Sequence, residues 1–142
     1  MTLHVKIIGI ILITLAGIHS VFPKRFDWVR ELSSLSLINR QMMQVHTFFI
    51  ALTIFLMGLL CLTSSNDLIE NELGRRISLG LAIFWVCRLA IQFFGYSSKL
   101  WKGKTFETTI HIVFSLLWTY FSVVFIIASH AVFKFGTTNV AK

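Results

Sequence analysis

An all-α fold of four membrane-spanning helices, with a short interfacial helix between the first two, follows from three features of this sequence. The 142 residues are 56% hydrophobic and contain a single proline. Mean hydropathy is +0.78, too apolar for a soluble domain of this length. Four stretches reach the roughly 20 mostly apolar residues that a span requires. They lie at about 3–22, 43–63, 76–96 and 109–133. Nothing is left over for a soluble domain, so residues 1–142 read as one integral membrane domain.

The first span contains "VKIIGIILITLA", which has the look of a signal-peptide core. Lys6 is the one basic residue at its start, whereas Lys24, Arg25 and Arg30 follow, the wrong charge asymmetry for export. No convincing small-x-small cleavage site is present, so the segment reads as a membrane helix that stops at Pro23. "KRFDWVRELSSLSLINRQ" mixes charges with Phe26, Trp28, Val29, Leu32, Leu35 and Ile38, the pattern of a helix lying on a membrane surface. After the second span, Asp67 with Glu70 three residues on resembles a helix cap, which would start the third helix outside the lipid. "YSSKLWKGKTFE" interleaves Tyr96, Trp101 and Phe106 with lysines, as membrane–water boundaries do. Thr105 can cap the fourth span, Glu107 suits its first turn, and the polar tail "KFGTTNVAK" is expected to fray.

The net charge of +7 raises nucleic acid as a partner, but the basic residues sit in short connections, where the positive-inside rule accounts for them. Loops 1–2 and 3–4 carry Lys24, Arg25, Arg30, Arg40, Lys99, Lys102 and Lys104. Lys6, Arg75, Arg76, Lys134 and Lys142 lie on the other side, diluted by Asp67, Glu70 and Glu72. A bacterial inner-membrane protein with both termini outside the cytoplasm is the expected arrangement. Cys61 and Cys87 match no metal motif and fall at different depths, so they read as small packing residues rather than a disulfide.

Alternating spans bring the polar residues to one layer. His19 ends span 1, His46 opens span 2, Arg88 and Gln92 lie in the last part of span 3, and Glu107 and His111 open span 4. Glu107, His111, Ser115, Trp118, Ser122 and Ser129 fall within about 40° of a common line at helical spacing. Such a stripe is what membrane helices turn toward their neighbours. Arg88, Gln92 and Gly95 share a face on span 3. A charge inside a bilayer costs at least about 2.5–3.5 kcal/mol, so Arg88 should face Glu107, backbone carbonyls, an anionic ligand or water. His4 and His130 fall at the opposite level, where they would form a lesser second cluster.

Three chemistries fit this layer. The first is redox: a b-type haem held by two of His19, His46 and His111, or a quinone head bound by histidine and Arg88. Arg88, steadied by Gln92 and Glu107, would meet a propionate, phosphate or quinone oxygen. The second is a membrane-embedded metal-dependent enzyme, with Glu107 and His111 an i, i+4 half-site completed by His46 and His19. The third is a non-catalytic auxiliary, assembly or lipid-binding subunit, whose partners would be anionic lipid, another membrane protein or further copies of the chain.

Arg88–Tyr120, "RLAIQFFGYSSKLWKGKTFETTIHIVFSLLWTY", carries an Arg-x-x-x-Gln pair, an aromatic run to Leu-Trp-x-Gly, and Glu-x-x-x-His opening the last span. In these features it resembles small, uncharacterised bacterial integral membrane proteins of four helices. The resemblance implies that architecture and no activity. A reporter active only outside the cytoplasm is expected to be active when fused to either end. Activity at one end only would remove the even number of spans.

Overall fold

The computed structural model describes residues 1–25, 27–97, 101 and 103–131, with no side-chain description for Phe22 and Ala131. All regular structure among them is helical: α1 (Thr2–His19), α2 (Phe22–Arg25), α3 (Trp28–Glu31), α4 (Leu37–Thr63), α5 (Asp67–Glu70), α6 (Glu72–Phe94) and α7 (Thr105–Ala131). Four of these, α1, α4, α6 and α7, are long and apolar enough to cross a membrane. The chain divides into two compact units, one of residues 5–65 and one that joins Met1–His4 to the chain from Asn66 onward. Phe26, Lys99, Lys102 and the tail from residue 132, with Lys134 and Lys142, lie outside the described residues.

In the unit of residues 5–65, α1 ends at His19 because Pro23 stands four residues later. A proline there offers no N–H to the His19 carbonyl, and its ring collides with it. The segment read as one interfacial helix is instead two single turns, α2 and α3, followed by a bend into α4. Asp27 precedes α3 in the left-handed region at φ 43°, a conformation that Asp tolerates better than most residues. Val29 is 87% exposed, so the turns bury little apolar surface of their own. Helix α4 starts six residues before the apolar run, since Arg40 and Gln41 are as compatible with a helix end as with a loop. α1 and α4 approach at Gly9 and Gly58: a Cβ on Gly9 would lie 2.9 Å from the Gly58 carbonyl oxygen, and one on Gly58 2.9 Å from that of Gly9. Small residues at a crossing let two backbones come this close, which is how apolar helices gain van der Waals contact without a hydrophobic drive.

In the other unit, α6 and α7 form an antiparallel hairpin with α5 packed on α6. The helix start is set by Asn71, not by Asp67 with Glu70 as expected. The Gly74 amide donates to the Asn71 side-chain oxygen at 2.7 Å, while Asp67 and Glu70 belong to the separate turn α5. Ser78, fully buried, donates to the Leu68 carbonyl at 2.8 Å and ties that turn down. Thr105 lies one residue inside α7 rather than capping it, because the first helical bond runs from the Thr108 amide to the Lys104 carbonyl. Trp85 on α6 stacks on Trp118 of α7 at 4.9 Å and 15°, with Phe121 edge-on at 4.9 Å. Aromatic pairs of this kind contribute about 0.5–1.5 kcal/mol each beyond contact area.

Gly74 and Gly80 provide an internal comparison on α6. A Cβ on Gly74 would run into the Asp67 carbonyl group, backbone that cannot step aside, whereas one on Gly80 meets nothing within 4 Å. Gly74→Ala is expected to cost about 1–3 kcal/mol of unfolding free energy in detergent, and Gly80→Ala to be neutral or to stabilise by up to about 1 kcal/mol.

Candidate functional site

The α6–α7 hairpin sets the site's depth by helix geometry. Arg88 lies six residues before the end of α6 and His111 six residues after the start of α7. At 1.5 Å per residue both are about 9 Å from the loop end, so antiparallel packing places them side by side. Gln92, one turn beyond Arg88 and 7% exposed, joins them. Arg88 Nη1 donates to Gln92 Oε1 at 3.2 Å, and Gln92 Nε2 donates to His111 Nδ1 at 2.8 Å.

The directions of these bonds are fixed by chemistry. A guanidinium has donors only, so the amide must turn its oxygen to Arg88 and its nitrogen to His111. His111 Nδ1 therefore accepts, and the ring proton of the neutral imidazole sits on Nε2. Among the described residues that Nε2–H makes no hydrogen bond. Arg88 lies 5.2 Å from the centre of the Trp118 ring and 5.9 Å from that of Tyr96, close enough for cation–π attraction. Trp101 packs on His111 at 4.1 Å and Phe93 at 6.0 Å. The Trp101 carbonyl is held in turn by the Thr108 hydroxyl at 2.8 Å. The buried indole N–H groups of Trp85 and Trp118 have no acceptor among the described residues. The cluster thus holds surplus donors, while the Gln92 oxygen and the His111 Nδ1 lone pair each already accept one bond.

Of the six residues expected to form a polar layer, the hairpin brings three together: Arg88, Gln92 and His111. Glu107 does not join them. It is exposed in the first turn of α7 and forms no ion pair among the described residues, whose one salt bridge is Arg76–Glu72. The expected pairing of Arg88 with Glu107 is replaced by the Gln92 amide and two aromatic faces. Tyr96 and Trp101, which the sequence marks only as boundary residues, also line the site, Tyr96 from just beyond the end of α6.

His19 and His46 belong to the unit of residues 5–65. Each anchors its ring by donating from Nδ1 to the carbonyl four residues back, His19 to Leu15 and His46 to Met42, both at 2.8 Å. This is the tautomer opposite to that of His111, with the lone pair on Nε2. His19 borders a cleft of about 300 Å³ with Trp28, Gln44, Thr47 and Phe48. His46 is exposed and points from α4 about 150° away from that lined face. His4 shares a 3.0 Å hydrogen bond with Tyr120, and His130 is exposed in the last turn of α7. Both cysteines are free. Among the described residues no three His, Cys, Asp or Glu side chains converge as a metal site would require.

Fold and site together define a class: an all-helical protein with four helices long and apolar enough to cross a membrane, and a directed polar chain between the last two. No family model, curated protein or solved structure matches the chain. If the chain is one unit, a double-mutant cycle of Gln92→Leu with His111→Phe should show a coupling of about 1 kcal/mol in unfolding experiments. Glu107→Gln should stay within about 0.5 kcal/mol of wild type.

Proposed function

We propose that this is a multi-pass protein of the bacterial inner membrane, both termini outside the cytoplasm, that binds a cofactor or small ligand of redox type, haem or quinone, through its His/Arg site. The observation that carries the reading is the Arg88–Gln92–His111 chain, held at one depth by two helices long enough to span. Polar groups are expensive in a bilayer and are spent where they meet a ligand or each other. Here the chain spends one guanidinium donor and leaves the others, with the His111 N–H, available to a ligand.

A non-catalytic auxiliary or lipid-binding role is the second reading, favoured by α4. Met42, Met43, Val45, Phe48, Phe49 and Ile50 are all exposed and take up most of its circumference, a surface suited to lipid or to another membrane protein.

Gently purified protein should carry quinone recoverable by solvent extraction, or a Soret band with sharp reduced α and β bands. Protein that is colourless and quinone-free, and stays so after loading with each, would sink the cofactor reading. Arg88→Leu separates function from glue. Ligand binding is expected to fall by tenfold or more, with stability in detergent unchanged or raised, because an arginine without a carboxylate partner contributes little to folding. A hairpin that comes apart would assign Arg88 to structure alone.

A further inference from the structure

We infer that Gln92 is a positioning residue that locks His111 as a hydrogen-bond donor, so that the Arg88–His111 site takes a head group offering only acceptors, an oxidised quinone, and that His111 is not an iron or metal ligand. The inference rests on the cofactor reading and narrows it. Arg88 cannot accept, so Gln92 Oε1 is committed to it at 3.2 Å. The amide nitrogen is then committed to His111 Nδ1 at 2.8 Å, and the imidazole proton to Nε2. Gln92 is 7% exposed, so water does not compete for either bond.

A metal needs a bare imidazole nitrogen. On His111 one nitrogen is occupied by the amide and the other carries the proton. Ligation would require the tautomer to change, which sets an N–H against the amide N–H₂. A quinone carbonyl asks for the opposite of a metal, an N–H. His111 Nε2–H and the remaining Arg88 N–H groups are donors flanking one amide. Trp101, half-buried and 4.1 Å from His111, adds an aromatic surface on which a planar ring packs. A quinol oxygen accepts more weakly than a quinone carbonyl, and its hydroxyl protons add donors to a site already rich in them, so the oxidised form is the one retained.

The test is the ¹⁵N spectrum of histidine-labelled protein in detergent, at a pH where imidazole is neutral, with the His111 signals identified by their loss in His111→Phe. His111 should appear as the Nε2–H tautomer, against Nδ1–H for His19 and His46, which serve as references within the same sample. Addition of a short-chain benzoquinone should shift the His111 Nε2–H signal, and the corresponding quinol should bind more weakly. In Gln92→Glu a carboxylate accepts from both neighbours. His111 should switch to Nδ1–H, and quinone affinity should fall by roughly tenfold or more. An Nδ1–H tautomer in the wild-type protein overturns the lock, whatever the protein binds. An Nε2–H tautomer indifferent to quinone overturns the ligand class and the redox reading beneath it. The wild-type spectrum needs no variant, so a misfolded Gln92→Glu leaves the inference open to refutation.

Discussion

An arginine side chain can only give hydrogen bonds, and the polar organisation of the α6–α7 hairpin descends from that one restriction. Arg88 has no carboxylate beside it among the described residues, so a neutral oxygen must serve. Gln92 supplies it from one turn away, and in doing so gives up the freedom to choose which end of its amide faces His111. A carboxylate in the same place would have neutralised the guanidinium and accepted from the imidazole as well, closing the site on itself. The amide leaves the positive charge uncancelled and passes a donor onward. The aromatic faces of Trp118 and Tyr96 complete the arrangement, since a ring quadrupole attracts the cation without consuming its N–H groups.

The hairpin can hold such a chain because its packing is settled elsewhere. Trp85, Trp118 and Phe121 form a stacked and edge-on cluster one turn from the polar chain. Asn71, Gly74 and Ser78 fasten α5 against the start of α6 by one cap, one close approach and one buried hydroxyl. Only Trp118 of these residues touches Arg88, through its ring face. A guanidinium and an imidazole can therefore be retained where each, taken alone, weakens an apolar helix pair.

The sequence makes depth legible and leaves partners obscure. Four apolar runs and a short connection are enough to put Arg88, Gln92 and His111 in one layer, because an antiparallel hairpin equalises distance from the loop. Facing is also legible for residues one turn apart, which is why Gln92 could be assigned to Arg88. Glu107 shows where this stops. Its spacing from His111 places both on one side of a helix, yet in the first turn a side chain is as free to face water as its neighbour, and it does. The cation–π contacts are hidden for a different reason, since they need the distance between two helices, which no spacing along the chain contains. The broken turns at α2 and α3 escaped because the apolar residues there are compatible with one amphipathic helix, while the left-handed backbone at Asp27 interrupts it. Asn71 displaced the expected cap because Asp67 and Glu70 fit the same signature four residues too early, where a separate turn intervenes.

Three histidines that the sequence places in one layer are distinguished by what holds the first nitrogen. In His19 and His46 a backbone carbonyl takes the Nδ1 proton, and a carbonyl four residues back in a helix is always in reach. That anchoring needs no second residue and leaves the lone pair on Nε2. In His111 the Nδ1 position is met by an amide donor from another helix, which only a particular pairing of α6 with α7 can deliver. The first arrangement is a default of helical histidine, whereas the second must be built. Its cost is a buried amide whose two ends are both prescribed, and its result is an N–H directed away from the chain. The position of one proton therefore separates a ring whose Nε2 carries a lone pair from one whose Nε2 donates.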